Sequence, residues 1–125
     1  MILIVDDQKD IGTGLERLLR YAGHESVSVT GGAEALAMLH ICKPSLLVLD
    51  VNMPDMDGLT VLKTIKEHDD LKDVRIVMYS ADTHHETMVE AKRLGALDFL
   101  VKGTTGFDKL VDRICELAGE PQKAG

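Results

Sequence analysis

The chain has 125 residues and a formal net charge of −7, a length that suits one domain able to bury a core without disulfide or metal staples. No block of basic residues is present, which excludes a nucleic-acid-binding surface in this segment, and no apolar run approaches the ~20 residues of a membrane-spanning helix. Cys42 and Cys115 lie far apart and match no metal-ligand spacing, so they read as small buried hydrophobes in a reducing compartment.

Met1 to Val5 is apolar throughout and stops at Asp6-Asp7. With no basic region before it, this is a strand rather than a signal peptide, and the expected location is cytoplasmic. Ile11, Leu15, Leu18, Leu19 and Ala22 recur at helical spacing, with Gly23 as a stop signal and Gly12 and Gly14 weakening the first turns. Ser26 to Val29 alternates polar and apolar, the pattern of a strand at a sheet margin. Gly31-Gly32 opens a second helix carrying Ala35, Leu36 and Leu39, and Pro44 closes the connection after it. Leu46 to Leu49 is a buried strand that ends abruptly at Asp50. Beyond Gly58, the residues Leu59, Leu62 and Ile65 form one stripe of a third helix, with Lys63, Lys66 and Glu67 on its other faces.

Val74 to Tyr79 is a fourth strand, followed by Ser80-Ala81-Asp82. A helix from about His85 to Leu94 ends at Gly95, a left-handed cap. Leu97 to Val101 is the fifth strand, directly followed by Lys102. Thr105 and Asp108 resemble a weak capping box for a last helix whose apolar face is Phe107, Leu110, Val111, Ile114 and Leu117. From Gly119 to Gly125, with Pro121, the chain reads as a flexible tail or the start of a linker.

Five strands alternating with five helices predict an α/β fold, a parallel sheet with right-handed crossovers and helices on both faces. The strands starting at Met1, Leu46 and Val74 are the most apolar and belong at the centre; those at Ser26 and Leu97 belong at the edges. In such a sheet the residues just past each strand meet at one rim, which gathers Asp6, Asp7, Asp50, Ser80 and Lys102. Clustered carboxylates raise one another's pKa unless a cation neutralises them. Mg2+ suits hard oxygen ligands and keeps positions open for phosphate oxygens. An aligned carboxylate nucleophile, a divalent ion and cationic donors are the parts phosphoryl transfer needs, with Asp50 as the nucleophile.

These residues resemble the receiver domain of bacterial two-component response regulators, similar to the chemotaxis regulators: Asp6-Asp7, Asp50 with Asn52-Met53-Pro54 and Asp57-Gly58, Ser80-Ala81, and Lys102. The resemblance covers Met1 to Ala118 and implies a receiver domain over 1–118, with 119–125 left as tail. It implies the flavodoxin-like five-stranded sheet of order 2-1-3-4-5. It further implies that Asp50 accepts a phosphoryl group from a histidine kinase, a histidine phosphotransfer protein of a phosphorelay, or a small phosphodonor. Asp6, Asp7, Asp50 and the Asn52 backbone carbonyl hold Mg2+ (or Mn2+). Lys102 pairs with the phosphoryl group, Ser80 moves inward to meet it, and Phe99 takes the switch aromatic position, which is also compatible with a core role. The module is a signalling switch and not an enzyme on free substrates, catalysing only its own phosphorylation and dephosphorylation. Its output is the face of the fourth helix, fifth strand and fifth helix, for a downstream target or a phosphorylation-dependent homodimer. Two departures stand out: Gly103 follows Lys102 where the family has proline, and Phe99 lacks the hydroxyl of the tyrosine found in many members.

Three rival readings are weaker. Asp55-Met56-Asp57-Gly58-Leu59-Thr60 superficially resembles the nucleophile loop of haloacid-dehalogenase-like phosphatases, but Asp55 does not end a strand. A pseudo-receiver that is never phosphorylated fits poorly with intact acids, Ser80 and Lys102. A calcium loop starting at Asp50 meets Pro54 where a side-chain ligand belongs. His84-His85 offers no metal pair, since adjacent helix residues face different ways, and His24, His40 and His68 are scattered along the chain. Met53 and Met56 flank the site and suit contact with a kinase.

Overall fold

Three strands with every residue buried form the middle of the sheet: β1 (Ile2–Val5), β3 (Leu46–Leu49) and β4 (Ile76–Ser80). The computed structural model describes residues 1–119. β2 (Ser26–Val29) and β5 (Asp98–Val101) flank the central strands, and all pairings are parallel in the order 2-1-3-4-5. This is the flavodoxin-like arrangement expected from the sequence. Continuous apolar runs became central because both faces of those strands are covered.

The helices are α1 (Lys9–Tyr21), α2 (Gly32–Ile41), α3 (Gly58–Glu67), α4 (His85–Arg93) and α5 (Phe107–Ala118). Alternation along each strand divides the core in two. Leu3, Val5, Leu47, Leu49, Met78 and Phe99 pack with Ala35, Leu39, Val61, Leu62, Ile65 and Ala91 from α2, α3 and α4. Ile2, Ile4, Leu46, Val48, Val77 and Tyr79 pack with Leu15, Leu19, Leu110 and Ile114 from α1 and α5. Gly12 weakens α1 intrinsically but lets it approach β2 closely, since a Cβ there would come within 2.8 Å of Ser28 Cβ.

Several local expectations need correction. β4 begins at Ile76 rather than Val74 and includes Ser80 as its last residue, and β5 begins at Asp98. The capping box at Thr105 and Asp108 does not form: Gly106 is the N-cap of α5, without a side-chain cap bond. Cys42 and Cys115 are half-buried, not core. Met53 is a core residue of the α2–α4 side and Met56 packs against the same cluster. His40 and His68 are neighbours, their ring centroids 5.8 Å apart in an edge-on arrangement, because α2 and α3 end side by side. Lys66 does more than face solvent: its ammonium donates to the carbonyls of Lys72 and Val74 at 3.0 and 3.1 Å, fastening the α3–β4 connection. Burial pushes its pKa down. Gly119 ends α5 with φ +87; the rest of the expected tail lies outside the described residues.

α3 is anchored by Asp57, its N-cap, whose carboxylate accepts from the Thr60 N–H at 2.8 Å. Asp57→Ala is expected to lower stability by about 1 kcal/mol, the usual cost of losing such a cap. A urea midpoint comparison of the two proteins checks it.

Candidate functional site

Strand register builds the site. Val5 pairs with Leu49, so the residues that follow, Asp6 and Asp50, leave the sheet side by side. The Asp50 N–H donates to the Val5 carbonyl at 2.9 Å, continuing the ladder by one rung. On the other side Ser80 pairs with Val101, and the Lys102 N–H donates to the Ser80 carbonyl at 2.9 Å. Acid, hydroxyl and ammonium are thereby brought to the same carboxyl-end rim by backbone pairing alone.

Asp6 and Asp50 are almost fully buried, at 3% and 4% exposure, a position costly for charge unless it is paired. Lys102 supplies the pairing: its Nζ lies 2.8 Å from Asp6 Oδ2 and 3.1 Å from Asp50 Oδ2. The other oxygens accept backbone N–H groups, Gln8 on Asp6 Oδ1 at 2.9 Å and Asn52 on Asp50 Oδ1 at 3.3 Å. Burial pushes the Asp6 carboxyl above the ordinary range, partly offset by the bonds from Lys102 and Gln8, while the Asp50 charge adds to the rise. For Lys102, burial acts downward, but its hydrogen bonds to Asp6 and Asp50 and their charges outweigh it and leave its pKa raised. The ammonium also lies 5.7 Å from the Tyr79 ring centroid, a distance that allows cation–π attraction.

The site opens into a cleft of about 200 Å³ lined by Asp7, Gln8, Asp50, Asn52, Ala81 and Lys102. Asp7 is exposed, and one carboxylate oxygen from each of Asp6, Asp7 and Asp50 lies within 4.8 Å of the others. Three hard oxygen donors that close suit a divalent cation such as Mg2+. Asn52 is at the cleft as expected.

Ser80 and Phe99 do not line the cleft. Ser80 is fully buried, and its hydroxyl accepts the Asp82 N–H at 3.2 Å. Phe99 is 9% exposed and pairs with Met78. Since Met78 and Ser80 are two residues apart on β4, Ser80 shares the sheet face of Phe99. Asp55 is also elsewhere: its two oxygens accept the Gly32 and Ala33 N–H groups, each at 3.3 Å, capping α2. Its pKa is lowered, chiefly by the bond from Ala33.

Two residues of the site's surroundings make contacts that the sequence does not signal. Gln8 Oε1 accepts from Lys102 Nζ at 3.3 Å. Asp82 ties down the chain entering α4, accepting from the His84 N–H and ring Nδ1 at 2.9 and 2.8 Å and from the Thr87 hydroxyl at 3.3 Å. The His84 backbone bond is the main reason its pKa falls. A chain of contacts thus runs from Ser80 through Asp82 to the start of α4.

Gly103 adopts φ +85, a left-handed conformation open to glycine, and nothing lies within 4 Å of where a side chain would start. The Thr105 N–H donates to the Val101 carbonyl at 2.9 Å, closing the turn after Lys102.

Among known proteins, chemotaxis protein CheY of Bacillus subtilis is 38% identical over 102 residues, covering 81% of this chain and 83% of that protein. Transcriptional regulatory protein PrrA of Mycobacterium tuberculosis is 39% identical over 101 residues, and the alignment spans 81% of this chain but 42% of the relative's length. The solved structure of chemotaxis protein CheY4 of Vibrio cholerae superposes with a TM-score of 0.84 at 30% identity, covering 93% of this chain and 96% of that one. Response regulator TrrA of Thermotoga maritima, solved in complex with Mg2+-BeF, gives a TM-score of 0.80 at 30% identity over 93% of this chain and 96% of that one. No helix among the described residues is long and apolar enough to cross a membrane. The response regulator receiver domain model matches residues 2–115, and with this sheet order and acidic rim the chain belongs to that family, the signalling receivers of two-component systems.

Proposed function

We propose that this chain is a phosphorylation-dependent switch in which Asp50 accepts a phosphoryl group from a histidine kinase, a histidine phosphotransfer protein or a small phosphodonor. The observation that carries the reading is Asp50 Oδ2 held 3.1 Å from Lys102 Nζ at a rim where Asp6 and Asp7 offer further carboxylate oxygens within 4.8 Å. An Asp50 oxygen attacks phosphorus; the bond from phosphorus to the donor's leaving atom breaks and its electron pair stays with the leaving group. Lys102, already beside Asp50, balances the charge that the phosphoryl oxygens bring. Asp6, Asp7, Asp50 and the Asn52 carbonyl would hold Mg2+ or Mn2+. When bound, the ion neutralises the acids and the charge on phosphoryl oxygens.

The readout follows from Ser80. Drawing its hydroxyl toward a phosphoryl oxygen gives up the bond from the Asp82 N–H, and the Asp82 carboxylate holds His84, just ahead of α4, and the Thr87 hydroxyl in its first turn. Phe99, on the same sheet face, then has room to move toward the vacated space. The face of α4, β5 and α5 changes as a result, for a downstream target or a second copy of the chain. On this reading residues 1–118 act as one receiver in the cytoplasm, and 119–125 serve as tail or linker.

Incubation with acetyl phosphate and Mg2+ is expected to add one phosphoryl group by intact mass, and EDTA to prevent it. Uptake that persists in EDTA contradicts the metal-dependent reading. A folded chain that binds no Mg2+ favours a pseudo-receiver instead.

A further inference from the structure

Gln8 occupies the N-cap position of α1, yet its side chain makes no cap bond. Glutamine is a poor cap in any case, its side chain being too long to reach the nearby N–H groups easily. The side chain turns instead to Lys102, Oε1 accepting from Nζ at 3.3 Å across 94 positions of sequence. Its backbone N–H donates to Asp6 Oδ1 at 2.9 Å. One residue therefore touches both members of the Asp6–Lys102 ion pair, and it lines the cleft beside Asp50.

Lys102 needs such a partner. An ammonium has three donors, and here they meet three acceptors: Asp6 Oδ2 at 2.8 Å, Asp50 Oδ2 at 3.1 Å and Gln8 Oε1 at 3.3 Å. Its flexible stem is followed by Gly103, which has open space around it, so the backbone on that side adds little restraint. A divalent ion drawing on the acids would compete with Lys102 for Asp6, the shortest of the three contacts. The amide of Gln8 carries no charge and is no part of the acidic cluster.

We propose that Gln8 is a positioning residue that keeps the Lys102 ammonium beside Asp50 when a divalent ion engages the acids. The assignment rests on the aspartyl-phosphate reading above. Gln8→Leu keeps the approximate volume and removes the acceptor, whereas Gln8→Glu keeps an acceptor in place. Two readouts apply: the rate of phosphoryl uptake from acetyl phosphate at saturating Mg2+, and the mobility of the Lys102 side chain from NMR relaxation at Cε in the unphosphorylated protein with Mg2+. Gln8→Leu is expected to slow uptake roughly fivefold, the size of one net hydrogen bond, and to increase Lys102 mobility. Gln8→Glu restores the restraint on Lys102. The thermal midpoint of Gln8→Leu falls by no more than the loss of this one hydrogen bond accounts for, because no cap bond is lost with it. Unchanged uptake or unchanged Lys102 mobility in Gln8→Leu, in a native background that takes up phosphoryl, overturns the Gln8 assignment alone. A native chain that takes up none overturns the underlying reading, and this assignment with it.

Discussion

Gly58→Ala is expected to cost about 4 kcal/mol, a large part of the stability of an ordinary domain. A Cβ at this position would fall on the Asp50 carbonyl oxygen, well inside contact distance, and within 2.9 Å of Val51 Cα. Both obstacles are backbone, fixed by the rung from Asp50 N–H to Val5 and by the Gly58 N–H bond to the Val51 carbonyl at 2.7 Å. No rotamer change relieves the clash, so α3 must move away from the end of β3. The same movement displaces Asp50. Urea unfolding followed by circular dichroism reads the effect, and a loss under about 1 kcal/mol would show that α3 shifts cheaply.

Lys102→Met removes the ammonium that lies between two buried carboxylates. Breaking a buried ion pair from one side typically costs about 3–5 kcal/mol, because the remaining charge is left uncompensated. The pH dependence gives the sign. In the native chain the raised Lys102 pKa means that its contribution is complete below the ordinary lysine value and is lost as pH rises through the folded value. Asp6 is already held above the ordinary carboxyl range by burial, and loses the lowering bond from Lys102 in the variant. A raised carboxyl pKa destabilises the fold at pH above it, and the penalty fades as pH falls from the folded value to the unfolded one. Lys102→Met is therefore expected to regain stability, relative to native, on acidification from neutral pH. Mg2+ is expected to stabilise the variant more than the native chain, since no ammonium competes for the acids. Equal stability of the two proteins at neutral pH, with equal Mg2+ shifts, would remove Lys102 from this electrostatic role.

The sheet and its rim were legible because they depend on patterns local to each strand. Apolar runs that stop at Asp6 and Asp50 mark both a buried strand and the side chain that leaves it, and the alternation of Ser26 to Val29 marks an edge. Once the strands are parallel, register does the rest, as Val5 opposite Leu49 illustrates. Contacts between distant segments left no periodic trace. Asp55 looked like a loop acid and caps α2; Lys66 looked solvated and binds two carbonyls of the following connection. His40 and His68 are far apart in sequence, and only the parallel course of α2 and α3 brings them together. Ser80 was misplaced by one step because the strand continues through a polar residue when that residue faces a buried interior. Gln8 has an ordinary side chain whose partner is 94 residues away.

Intact mass after incubation with acetyl phosphate and Mg2+, with the native chain and Asp50→Asn side by side, tests the central claim most directly. One added phosphoryl group on the native chain and none on a folded Asp50→Asn variant is the predicted result. Equal uptake by both proteins, or loss of uptake in Asp55→Asn while Asp50→Asn retains it, would contradict the assignment of Asp50 as the phosphoryl acceptor.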